Sequence, residues 1–292
     1  MSSLSTEHPG ATSGRGQRER EEAGRRRLLP TDRRRLRRGL AGTVAFVAVW
    51  WLAALTQPTY LLPGPVEVAT AFVGELTVRA TYTVPGLGFV VALPRLVVKL
   101  VESLSHYVPG LVVGATLGIA LGVATGWSER LSDALRPVVR VLRPVPPLAW
   151  IAFAIVWFGI GNTGATFIVA IGAFWVNYYN AESGVAGVPR DRLEVAASLG
   201  VDDDRRMIRK VVLPSAAPEI LTGVRTSIGQ CWMVVVAAEL FGAPGVGYQI
   251  IQAAQNLSMD VSVAYMLVIS AVFLVSDGLF RFVQASVLEW RG

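Results

Sequence analysis

What most constrains this chain is a polar stretch, residues 194–218, set between two runs apolar enough to cross a membrane. Residues 163–179 (TGATFIVAIGAFWVNYY) precede it and residues 222–242 (TGVRTSIGQCWMVVVAAELFG) follow it. Residues 194–199 are good helix formers, and Gly200 suits the left-handed position that ends a helix. Asp202, Asp203 and Asp204 offer capping oxygens to a second helix. That helix carries Arg205, Arg206, Arg209 and Lys210 on one side and Met207, Ile208, Val211 and Val212 on the other. Pro214 and Pro218 are expected to stop it before the next span. A polar helix–turn–helix held between spans points to docking on a partner.

Composition agrees with a polytopic membrane protein. Of 292 residues, 52% are hydrophobic and 16% charged, and the mean hydropathy is +0.48. Several runs approach the ~20 apolar residues needed to cross ~30 Å of hydrocarbon. The net charge of +6 resides entirely in residues 1–38, which hold 11 Arg against 5 acidic residues. This basic tail, not a nucleic-acid surface, accounts for the high isoelectric point, and we read it as disordered. The single cysteine, Cys231, excludes a disulfide within the chain, and His8 and His106 form no metal-ligand cluster. No GxxxxGK[ST], HExxH or GxSxG is present, so no catalytic residue is assigned.

Six spans are expected. The first covers about 39–57, and a Pro-Gly-Pro break then leads to a short helix over 66–72. Residues 76–104 are apolar but interrupted by Pro85, Pro94, Arg95 and Lys99. They read as an interfacial amphipathic segment, with an additional span as the alternative. The second span, 107–126, carries Gly110, Gly114, Gly118, Gly122 and Gly126, one stripe for close backbone packing within the subunit or between subunits. Residues 127–143 form an amphipathic link. A proline-rich third span follows, then spans over 163–181, 219–241 and 262–284. Arginines concentrate in the tail, 127–143 and 184–217, whereas 242–261 has no Lys or Arg. This bias puts the N-terminus and the 194–214 loop in the cytoplasm. Within the spans, Asp277 and Arg281 are spaced for an i,i+4 pair, and Arg225 is placed to snorkel. Trp157, Asn177, Gln230 and Glu239 are the candidates for a substrate path.

Two segments carry a family resemblance. Glu194, Ala196, Ala197 and Gly200, followed by Leu213 and Pro214, resemble the cytoplasmic coupling loop of ABC importer permeases. The spacing from Gly200 to Pro214 is one residue longer than that family's pattern. Pro144, Pro146, Pro147 and Ala149, then Trp157, Phe158, Gly159, Ile160 and Gly161, are similar to the nitrate/sulfonate/taurine branch. The resemblance implies an all-α integral membrane protein in the type I importer arrangement. It divides the chain into a tail (1–38), a first span with the interfacial segment (39–102) and a permease core (103–290) with its coupling loop at 190–218. It further implies a homodimer in the cell membrane and an extracytoplasmic binding protein that delivers a small solute. A cytoplasmic ATPase, which binds ATP and Mg, docks against Glu194, Ala196, Ala197, Gly200, Arg205, Arg206, Leu213 and Pro214. The permease itself holds no cofactor. The rival reading is a secondary transporter or channel without an ATPase; the absence of an inverted repeat stands against the transporter.

Overall fold

The computed structural model describes residues 13–83, 90–201 and 203–287. Two units are distinguished, residues 1–58 and 59–292. In the first, helix α1 (Ser13–Ala54) includes a candidate span, Arg34–Ala54. The expected disorder of the tail is therefore replaced by helix from Ser13 onward, while residues 1–12 lie outside the described set. Arg, Glu, Leu and Ala are strong helix formers.

The second unit opens with α2 (Pro65–Thr77), its proline at the first helical position where no N–H is needed. The described residues of 76–104 form neither an interfacial helix nor a span of their own, and residues 84–89 lie outside the described set. Strands β1 (Arg79–Thr83) and β2 (Val90–Pro94) pair antiparallel, and Arg95 begins the next helix, α3 (Arg95–Trp127). Thr, Tyr and Val favour the strand, and Pro94 lacks the N–H a helix interior would use. Helix α4 (Glu129–Leu142) is capped by the Ser128 hydroxyl, which accepts from the Leu131 amide at 3.3 Å. The proline-rich segment forms a 3₁₀ turn (Pro147–Trp150) and a short α5 (Ile151–Phe158), bent by 85° from α4. Gly159 and Gly161, at φ +77° and +144°, turn the chain into α6 (Asn162–Ala186).

Beyond α6 come α7 (Arg190–Ser198), α8 (Asp204–Met207), a π-helical turn (Ile208–Val212), α9 (Leu213–Glu239), α10 (Val246–Gln255) and α11 (Met259–Val287). Four helices among the described residues are long and apolar enough to cross a membrane, and the bent α4–α5 pair passes the same test as one broken span. Helix α6 completes a set of about six; its 25 residues reach about 37 Å.

The glycine stripe sets the direction of these helices. Added Cβ atoms on Gly110, Gly114, Gly118, Gly122 and Gly126 would strike the carbonyl oxygens of Thr166, Ala170, Phe174, Tyr178 and Glu182. Each step of four residues on α3 thus meets a step of four on α6. The two helices run parallel and in register, so residues 128–161 must return the chain across the bundle. Of the two packing partners open to the stripe, the one inside the subunit is observed. Helix α9 packs antiparallel on the other side of α6, with Gly184 against Ala216 and Glu219 and Gly172 against Val234. Arg225 does not snorkel; it holds Asp277 of α11 in a two-pronged pair at 2.8 and 3.4 Å. Arg281 joins the same carboxylate at 3.0 Å.

Candidate functional site

The loop between α6 and α9 is built from local hydrogen bonds. Helix α7 ends in a Schellman motif: the Val201 amide donates to the Ala196 carbonyl and the Gly200 amide to the Ala197 carbonyl, both at 3.0 Å. Gly200 sits at φ +84° with open space around it, so the position demands a left-handed backbone rather than a small volume. Of the three aspartates, Asp203 is the observed cap, its carboxylate accepting from the Arg206 amide at 3.2 Å. Asp202 lies outside the described residues.

One expectation is corrected. Pro214 and Pro218 do not interrupt the chain; residues Asp204–Glu239 run as one 36-residue helical stretch. The π turn explains how. A π turn adds one residue to a helical turn and lies just before Pro214. Pro214 then follows where the backbone ladder is already changing register, so its missing N–H breaks no regular bond.

The inner face of the loop is apolar. Ala196, Met207, Val212 and Ala216 are buried together with Val185, and Trp127, Leu193 and Val201 pack around them. Leu213 and Pro214 are half-buried. The outer face carries Glu194, Ala197, Arg205 and Arg206, all exposed, and two uncovered apolar side chains, Val195 (60% exposed) and Leu199 (79%). The latter pair is spaced i,i+4 on a polar helix, a signal present in the sequence but not singled out from it.

The four candidates for a substrate path do not converge. Trp157 is exposed in a ring cluster with Phe153, Phe158 and Phe167, and Gln230 is exposed on α9. Asn177 is fully buried, its amide donating to the Ala173 carbonyl at 2.8 Å. Glu239 is fully buried as well. It meets His106 Nε2 at 2.7 Å and accepts from the Gly247 amide, fastening α3 and α10 to the end of α9. Nearby, Ser103 Oγ accepts from the Val246 amide at 2.9 Å. A second buried group joins α2, α3 and α11: Glu75 accepts from Arg95 and, at 2.6 Å, from the Tyr265 hydroxyl. Sequence reasoning singled out Glu239 without its pairing to His106 and missed the Glu75 group, although lone ionisable residues in apolar segments are the available signal.

The pattern of the binding-protein-dependent transport system inner membrane component family matches residues 114–289, more than half of the chain. This protein belongs to that family. The matched region begins within the glycine stripe and contains the whole capped loop. Among relatives, an ABC transporter permease protein of Methanocaldococcus jannaschii is 42% identical over 156 residues, 53% of this chain and 58% of that one. The taurine transport system permease protein TauC of Escherichia coli is 35% identical over 86% of this chain and 89% of its own length. The bicarbonate transport system permease protein CmpB of Synechococcus elongatus is 32% identical over 86% of this chain and 88% of its own. In fold, the chain is similar to a chain of the inward-facing MetNI methionine ABC transporter, with a TM-score of 0.53 at 20% identity, covering 64% of this chain and 95% of that one.

Proposed function

We propose that this permease couples ATP hydrolysis on a cytoplasmic partner to import of a small solute through the capped 194–214 loop. The solute is of the class carried by its relatives, a small molecule bearing an anionic sulfonate or oxo group, delivered by an extracytoplasmic binding protein. Two copies of the chain enclose the pathway. The N-terminus and the loop face the cytoplasm, in keeping with the arginine bias. The observation that carries this reading is the contrast between the two faces of the loop. Its inner face is buried against the ends of α3, α6 and α9, so the loop moves with the spans. Its outer face leaves Val195 and Leu199 uncovered between charged residues, as an apolar anchor needs in order to enter a cleft.

Closure of the ATPase pair moves the loops, and the spans follow as rigid bodies between outward- and inward-facing states. Each element has a task in this cycle. Gly200 and Asp203 fix the angle between α7 and the stretch leading into α9. The continuous Asp204–Glu239 helix transmits displacement along the bundle without a hinge at Pro214. The family is one of permease subunits, so hydrolysis itself belongs to the partner.

Leu199→Asp tests the reading. The variant is expected to insert and to keep its melting temperature in detergent, because Leu199 makes no core contact. Co-purification with the ATPase subunit and stimulation of its hydrolysis should fall by at least about tenfold, the usual loss at a buried anchor. Full stimulation by a stably folded Leu199→Asp protein would overturn the docking assignment.

A further inference from the structure

Helix α4 carries a feature that the coupling reading does not use. Arg136, Arg140 and Arg143 recur at i, i+4 and i+7, so they project from one face. That face borders a cleft of about 570 Å³ whose far wall is formed by Tyr178, Tyr179 and Glu182 of α6. The charges in it are unequal. Arg136 is paired with Asp133 at 3.2 Å. Arg140 has no carboxylate partner among the described residues, and Arg143 is stacked 4.1 Å above the Tyr179 ring. Stacking holds the guanidinium in place without neutralising it. Two adjacent positive charges therefore share a cleft with one carboxylate, Glu182.

The setting indicates where an anion would come from. Helix α4 lies nearly crosswise to α5, with an angle of 85° between them. Its opposite side exposes Val138 (50%) and Val141 (71%). A helix that bends sharply from the next one, apolar on one side and basic on the other, suits the boundary of headgroups and acyl chains. Basic pockets between helices at that depth take anionic headgroups. We propose that Arg140 and Arg143, with Tyr178 and Tyr179, form a binding site for a phosphate- or sulfate-type oxyanion at the loop end of the bundle. The oxyanion is either the headgroup of an anionic phospholipid or a soluble anion.

The test uses the full-length protein in detergent, with native mass spectrometry and thermal unfolding as paired readouts. Phosphatidylglycerol, phosphatidylcholine and sodium sulfate are added in separate arms. Wild-type protein is expected to retain phosphatidylglycerol over phosphatidylcholine, and Arg140→Gln/Arg143→Gln should weaken that retention by at least about tenfold, since each charge near a lipid surface is worth roughly fivefold. Both arginines are exposed, so the variant should fold, which its unfolding curve verifies. Stabilisation by sulfate that the double variant loses, without selective lipid retention, would support the site with a soluble anion as its source. Arg130→Gln, on the same helix but outside the cleft, should leave every arm unchanged. Equal loss in Arg130→Gln, or no loss in the double variant, overturns the proposal.

Discussion

The α3–α6 seam and the corner where α9 turns into α10 both bring helices into close contact, using opposite materials. Along the seam, five glycines face backbone carbonyls, and contact is made by removing side chains. At the corner, contact is made by burying ionisable ones: Glu239, His106 and the Gly247 amide meet with no exposure to solvent. The first region has nothing to spare in volume, and the second has nothing to spare in hydrogen-bond partners. A seam between parallel helices must stay close along its whole length, which only a repeated small residue achieves. A corner has to fasten three chain segments at one point, which a carboxyl group with several hydrogen-bond partners does better.

The largest effect is expected at the corner. Glu239→Ala leaves His106 and the Gly247 amide buried without their partner, a loss of about 3–5 kcal/mol. We expect little folded protein by size-exclusion chromatography. The double variant Glu239→Ala/His106→Leu removes both members of the pair and should recover a large part of that stability, because replacing both partners of a buried pair by apolar groups is far milder than orphaning one. A double variant as unstable as the single one would show that the pair is not the fastening.

Next in size is the seam. A Cβ on Gly114 would fall 2.8 Å from the Ala173 Cβ and nearer still to the Ala170 carbonyl oxygen. Gly114→Leu should lower stability by about 1–3 kcal/mol or more, read as a lower melting temperature in detergent. Here no second substitution should rescue, since the obstacle is backbone. Recovery by Gly114→Leu/Ala173→Gly would contradict a backbone-limited seam. Val113, 48% exposed on the same helix, is the control, and Val113→Leu should be nearly silent.

The smallest effect is expected at Gly200, where space is open and only the backbone is constrained. Gly200→Val should cost about 1–2 kcal/mol locally, because a β-branched residue resists the left-handed conformation. Gly200→Asn should be milder, since Asn tolerates that conformation. The measurement is ATPase stimulation at unchanged membrane yield, with Asn above Val. Equal activity of the two variants would mean that the loop angle set by Gly200 does not matter for coupling.

Features whose physics is local were legible in the sequence. A glycine after a short run of helix formers, with an aspartate three residues on, predicts the cap and the restart that Gly200 and Asp203 provide. The period of four in the glycines predicts a packed face, which the contact with α6 supplies. These signals hold because helix hydrogen bonds and turn geometry span only a few residues. Tertiary structure decided everything that joins distant residues. Only the packed chain shows that the stripe faces α6, that Glu239 answers a histidine 133 residues away, and that a π turn carries the helix on past Pro214 without a break. The pairing of 79–83 with 90–94 belongs with these, because partnering between the strands outweighs the apolar pattern of each alone. A buried charge or a helix seam is stable only when its partner arrives, and the identity of that partner is written in no single segment of the chain.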